Sequence, residues 1–173
     1  MAFNIRVENI VASAAFGVVV KLEKIVSKLE GMEYEPEQFP GLVYRIESPK
    51  AAALIFGSGK IVCTGARSLD DVNEVFRKVV KIVEKSGTKV PRGYKVQVEN
   101  IVASAKLDGK LNLDTIAFNL ENSEYEPEQF PGLVYRMTEP KVAFLLFGSG
   151  KVVCTGGRTI KDVNIAVEKV NKK

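Results

Sequence analysis

The side chains that carry most enzyme chemistry are scarce in this chain. Histidine is absent, and the two cysteines, Cys63 and Cys154, each lie inside an apolar strand-like run with no second thiol nearby. A metal cluster and an activated nucleophile are therefore excluded, a disulfide is disfavoured, and buried free thiols are the expectation. Gly57-Ser58-Gly59-Lys60 has the composition of a phosphate-cradling loop, but it stands between two strand-like runs and lacks the strand-to-helix context of a P-loop. The chemistry the chain does carry is that of recognition. Asn9 is flanked at two-residue spacing by Val7 and Val11, and Asn100 by Val98 and Val102, so each is an isolated amide on an apolar strand face. Such a group either donates to a partner or needs an internal one.

These residues are written twice. Val7 to Ala14 recurs as Val98 to Ala105, Tyr34 to Arg45 as Tyr125 to Arg136, and Phe56 to Lys60 as Phe147 to Lys151, always 91 positions later and without a gap. Two copies of so long a unit argue against a solenoid and for a pseudo-twofold molecule. The expected organisation is one repeat over 1–86, a breaker-rich linker over 87–93 and a second repeat over 94–173, together forming one continuous domain.

Each repeat must supply the elements that position these groups. In the first, apolar and polar residues alternate from Ile5 to Ser13, and Leu22, Ile25, Val26 and Leu29 follow at helical spacing. Three strand-like runs come next, 41–47, 51–56 and 60–64, separated by Ser48-Pro49 and Gly57-Ser58-Gly59. Ser68 then caps an amphipathic helix with the stripe Val72, Val75, Phe76, Val79, Val80 and Val83. Centring the first hairpin so that Arg45 faces Lys50 sets Val43 opposite Ala52, Gly41 opposite Leu54 and Phe39 opposite Phe56. The second hairpin sets Leu54 opposite Val62 and Ala52 opposite Thr64. One face then carries Phe39, Val43, Leu54, Phe56, Val62 and Thr64, edged by Arg45, Lys50 and Lys60. The other carries Leu42, Tyr44, Ala53, Ile55, Ile61 and Cys63. Both faces are apolar, yet one long and one short helix per repeat cover only one of them. The uncovered face, rimmed by cations, is read as an interaction surface that suits double-stranded DNA. A lone Phe pair across a hairpin is ordinarily core packing, but its repetition in both copies points to paired wedges of a DNA-kinking protein.

At these residues the sequence resembles the TATA-box-binding protein family, along essentially the whole chain and in both repeats. The likeness rests on Val-Glu-Asn-Ile-Val at Val7 to Val11 and Val98 to Val102, and on Phe-Pro-Gly-Leu-Val-Tyr-Arg at Phe39 to Arg45 and Phe130 to Arg136. The runs ending Phe-Gly-Ser-Gly-Lys at Lys60 and Lys151, and Val-Cys-Thr-Gly at Val62 to Gly65 and Val153 to Gly156, complete it. The resemblance implies an α+β saddle with a curved ten-stranded antiparallel sheet whose concave face grips the minor groove, helices on the convex side, and no cofactor. It makes Phe39, Phe56, Phe130 and Phe147 the wedges and Asn9 and Asn100 the central readers. Val11, Val102, Leu54, Leu145, Val62 and Val153 become groove-floor contacts, with Thr64 and Thr155 near the centre. Arg45, Lys50, Ser58, Lys60 and Arg67, with Arg136, Lys141, Ser149, Lys151 and Arg158, become backbone contacts. Glu124, Glu126 and Glu128 lie in the loop that in the family meets transcription factor B, through which RNA polymerase is recruited. Identical acidic loops and wedges in both repeats look archaeal, so a cytoplasmic, nucleoid-associated protein is implied, or a nuclear one in a eukaryote. Two departures are the acidic Glu8 and Glu99, where many relatives have Gln, and a short final helix from Lys161 to Lys173.

Composition is compatible with this. Hydrophobic residues at 46% and charged residues at 27% describe an ordinary globular chain, and no apolar run is long enough to span a bilayer. The beginning of the chain lacks a basic leader with an apolar stretch, so the protein is expected to stay where it is made. An excess of 25 basic over 21 acidic residues permits nucleic-acid binding without demanding it. Two rivals stand beside DNA binding: an enzyme, since a similar fold accompanies some DNA glycosylases, and a module that binds another protein through the apolar face or self-associates there as a homodimer when DNA is absent.

Overall fold

A computed structural model describes residues 4–28 and 32–171. The elements of the first half are β1 (Arg6–Ala15), α1 (Leu22–Lys28), β2 (Met32–Glu33), β3 (Leu42–Glu47), β4 (Lys50–Ile55), β5 (Lys60–Ala66) and α2 (Leu69–Lys85). Those of the second are β6 (Gln97–Lys106), α3 (Leu113–Asn119), β7 (Ser123–Glu124), β8 (Leu133–Met137), β9 (Val142–Leu146), β10 (Lys151–Gly157) and α4 (Ile160–Asn171). The strands belong to one ten-stranded antiparallel sheet in the order β2-β3-β4-β5-β1-β6-β10-β9-β8-β7. By compactness the residues group into two units: one is Asn9–Glu99, and the other joins the residues up to Glu8 to those from Asn100 onward. Leu29, Lys172 and Lys173, expected to be helical, lie outside the described residues.

Within the Asn9–Glu99 unit one face of the strands forms the core. Ile10, Ala12, Leu42, Ile46, Ala53, Ile55, Ile61, Cys63 and Ala66 are buried. The helix α2 supplies Val72, Val75, Phe76, Val79, Ile82 and Val83 as its buried stripe. Ile82 takes the place expected for Val80, which is only half-buried, because the stripe drifts around the cylinder over five turns. Each fully buried side chain of this size contributes about 1.5–3 kcal/mol relative to exposure. The helix starts where the Ser68 hydroxyl accepts from Asp71 N at 3.0 Å. Asp70 and Asp71 in its first turn and Lys85 in its last oppose the helix dipole. The other unit repeats this with Thr159 Oγ1 accepting from Asp162 N at 2.9 Å. There α4 buries Val163, Ala166, Val167 and Val170.

The register of the first hairpin differs from the expected one by two residues. Glu47 pairs with Lys50, Arg45 with Ala52, Val43 with Leu54 and Leu42 with Ile55. The connection is a tight two-residue turn, so Ile46 and Glu47 remain in the ladder instead of looping out. A shift of two preserves which face each side chain takes. It removes Phe39 and Gly41 from the ladder, and Phe39 stands in the preceding loop, with its N–H bonded to Glu35 O at 2.9 Å. The β4–β5 pairs, Leu54 with Val62 and Ala52 with Thr64, follow expectation.

Candidate nucleic-acid interface

The face opposite the helices stays accessible in each unit. Val11, Val43, Ala52, Leu54, Phe56, Val62 and Thr64 are half-buried, as are Val102, Val134, Ala143, Leu145, Phe147, Val153 and Thr155, while on the other face Ile10, Leu42, Ala53, Ile55, Ile61 and Cys63 and their counterparts in the second copy are buried. Phe39 and Phe130 are the most open of the expected wedges, at 38% and 39% exposure. Arg45, Lys50, Ser58, Lys60 and Arg67 stand exposed around the first patch, and Arg136, Lys141, Ser149, Lys151 and Arg158 around the second. The result is apolar in its middle and cationic at its edge.

The four phenylalanines meet in pairs. Phe39 and Phe56 have ring centroids 5.7 Å apart at 65°, and Phe130 and Phe147 are 6.0 Å apart at the same angle, so each pair packs edge to face. Each pair joins a loop residue to the end of a strand: the Phe56 N–H bonds to Lys60 O, closing the turn that carries Ser58 and Lys60.

The asparagines are held by a feature absent from the expected pattern. Between β1 and β5 the pairing passes from Ala12–Cys63 to Ile10–Ala66, a bulge that leaves Gly65 extra, at φ +92°. Gly65 N donates to Asn9 Oδ1 at 2.6 Å, and Gly156 N donates to Asn100 Oδ1 at 2.6 Å. A backbone N–H can bond only to the amide oxygen, so the amide orientation is fixed and Nδ2 is the end left to act as donor. Asn100 Nδ2 also lies 3.3 Å from the Thr155 hydroxyl. The isolated glycine after Thr64 and Thr155 was the signal in the sequence for this bulge.

The acidic residues are engaged. Glu124 Oε1 lies 3.4 Å from Arg136 Nη1, and Glu33 Oε1 lies 3.5 Å from Arg45 Nε, both pairs being mostly exposed. Such pairs contribute about 0–1 kcal/mol and leave the remaining guanidinium donors available. Glu126 and Glu128 are exposed in the loop, where Glu126 O accepts from Phe130 N at 3.0 Å. Ser13 Oγ donates to Glu99 Oε2 at 2.6 Å and Ser104 Oγ to Glu8 Oε2 at 2.7 Å, which gives these two acids a defined place. Burial pushes the Cys63 and Cys154 thiols up from 9.0 to about 11, with Asp71 adding to the effect at Cys63. Both thiols are therefore protonated and unreactive at neutral pH.

Comparing the copies separates the two faces. At every open-face position named above, and at each of the surrounding cations and serines, the second copy has the same residue as the first. The covered face has changed: Ile46, Ala51, Ala53, Ile55, Ile61 and Ala66 correspond to Met137, Val142, Phe144, Leu146, Val152 and Gly157.

Comparison with known proteins agrees with this geometry. The profile of the family "Transcription factor TFIID (or TATA-binding protein, TBP)" matches residues 4–86 and again 95–173. The chain is 52% identical to a TATA-box-binding protein of Methanobrevibacter smithii over 96% of this chain and 92% of that one. It is 54% identical to TATA-box-binding protein E of Halobacterium salinarum, over 98% and 92% of the two chains. Among solved structures, Methanococcus jannaschii TBP superposes with a TM-score of 0.90 at 47% identity, covering 97% of this chain and 96% of that one. With a ten-stranded antiparallel sheet, four helices and both repeats matched, the chain belongs to the TATA-binding protein family.

Proposed function

We propose that this chain is a general transcription-initiation factor that binds the minor groove of A/T-rich promoter DNA, kinks it, and recruits transcription factor B and through it RNA polymerase. The observation that carries this reading is the contrast between the faces: the accessible apolar face is identical in both copies, whereas the packed core has drifted. A surface that only needed to be soluble would be free to change, and an accessible apolar face is tolerated where a partner covers it. The repeats, 1–86 and 94–173 joined by 87–93, act as one DNA-binding domain. In this reading the Phe39–Phe56 and Phe130–Phe147 pairs unstack base steps. Asn9 and Asn100 donate to the acceptors that A·T and T·A pairs share in the minor groove. The ring of Arg, Lys and Ser residues grips phosphates without reading sequence, and Glu124, Glu126 and Glu128 face the protein partner. The protein works without a cofactor, is not an enzyme, and acts in the cytoplasm on the nucleoid.

A second reading, self-association through the same face, is supported by the exposure of Phe39 and Phe130 and applies when DNA is absent. Gel-shift titrations of A/T-rich and G/C-substituted duplexes at several salt concentrations separate the two. DNA recognition predicts a preference for A/T-rich duplex and steep weakening with salt. Neutralising Arg45, Lys60, Arg136 and Lys151 should flatten the slope by about one unit per lost contact. Equal affinity for both duplexes, or association indifferent to salt, would overturn the proposal.

A further inference from the structure

Gly41 and Gly132 are buried beneath the two phenylalanine pairs. A methyl group added at Gly41 would lie 2.8 Å from Phe39 Cε2 and 2.9 Å from Phe56 Cε1. At Gly132 the same methyl would lie 2.8 Å from Phe130 Cε2 and 3.0 Å from Phe147 Cε1. The same ring atoms are met in both copies, and no backbone atom is among the three nearest. Neither glycine has a positive φ, so no left-handed backbone conformation calls for glycine at these positions. Space is what excludes a side chain here.

We infer that Gly41 and Gly132 are positioning residues that seat the paired rings against the strand backbone and so set how far the wedges project; this rests on the DNA-kinking reading above. The groups that must yield to a methyl are ring edges on an accessible face, not core atoms. Restoring ordinary contact at 3.4 Å from 2.8 Å requires a ring to retreat by 0.6 Å, since 3.4 − 2.8 = 0.6. Phe39 is 38% exposed and has room to swing outward, so the fold survives while the pair loses its edge-to-face arrangement. Alanine would be unremarkable to the chain and disruptive to the ligand. By contrast, a methyl at Gly57 or Gly148 meets only a carbonyl oxygen, 3.6 and 3.7 Å away, so those glycines serve as controls.

The test is a mutant cycle confined to one copy, with the other left intact so that binding remains measurable. Gly41→Ala, Phe39→Ala/Phe56→Ala and the triple variant are compared by FRET-measured DNA bend, affinity for an A/T-rich duplex and thermal unfolding. Gly41→Ala is expected to reduce bending and weaken binding roughly tenfold with an unchanged Tm, and to add nothing once the rings are gone. An equal further loss in the ring-free background would overturn the seat. Should Phe39→Ala/Phe56→Ala itself leave the bend unchanged, the wedge reading fails on its own, before the glycine is considered. If Gly41→Ala lowers the Tm, the triple variant, which lacks both clashing rings, gives the methyl room. A Tm and bend equal to those of Phe39→Ala/Phe56→Ala support the seat, and a further loss of either refutes it.

Discussion

Phe76 on α2 corresponds to Val167 on α4, and Ala53 on β4 corresponds to Phe144 on β9, so the two copies have moved a large buried side chain from helix to strand. All four residues are at most 1% exposed. Tyr135 follows the change: it stacks on Phe144 at 6.3 Å and 19° and is buried, whereas Tyr44, opposite Ala53, is half-exposed. An interior fixes total volume more strictly than the identity of any one residue, so an exchange of this kind is tolerated where the two positions share volume. On the accessible face no such exchange occurs, and the Phe pairs differ by only 0.3 Å between copies, 5.7 against 6.0 Å. A core answers only to itself and can drift by compensation. A face that must fit an external partner cannot compensate in this way.

That contrast can be broken most directly at the asparagines. Asn9→Asp/Asn100→Asp keeps an acceptor for the Gly65 and Gly156 N–H groups, so the Tm should stay near that of the parent. Losing two donors, at about 1–3 kcal/mol each before repulsion from acceptors and phosphates, should abolish DNA binding. Gel shifts and thermal unfolding read the two effects separately. Retained binding to A/T-rich DNA at moderate salt, or strong destabilisation of the free protein, would remove the distinction between the faces at its centre.

The covered face offers a smaller and purely structural effect. Phe144→Ala should cost about 3–5 kcal/mol in urea unfolding and leave specificity for A/T-rich DNA unchanged in the folded fraction. Adding Val167→Phe, which recreates the arrangement of the first copy, should return part of that loss. If the double variant is no more stable than Phe144→Ala alone, the two positions do not share volume and the exchange is not compensation.

The smallest effect concerns a covered position that has not drifted. With folded thiol pKa values raised from 9.0 to about 11, the folded state holds protons that the unfolded chain releases. Stability from this source is therefore level below pH 9 and falls as pH rises from 9 to 11. Cys63→Ala/Cys154→Ala should flatten that alkaline limb, and both native thiols should resist alkylation at pH 7 equally. Rapid labelling of one would show that its copy opens locally.

Much of this was legible beforehand because period-two alternation, helical spacing and a 91-residue repeat are local or self-referential signals. The faces of β3, β4 and β5 and the Ser68 cap follow from them. The β3–β4 register did not, since counting outward from Ser48-Pro49 does not reveal whether Glu47 and Lys50 pair across the turn. The two-residue strands β2 and β7 were also missed, being too short to show any period. The alternation places Gly41 in the ladder, because its reason for being glycine lies in two rings, one of them 15 positions away, and no local pattern reports that contact.

The bond from the bulge glycine to each asparagine also bears on conformational entropy. An unrestrained Asn samples several rotamers, and fixing such a side chain on association costs about 0.5–1.5 kcal/mol. Here Gly65 and Gly156 immobilise the two amides while the chain folds, long before any duplex arrives. On the proposed reading, the ordering of these two donors is then complete before association and does not weaken it.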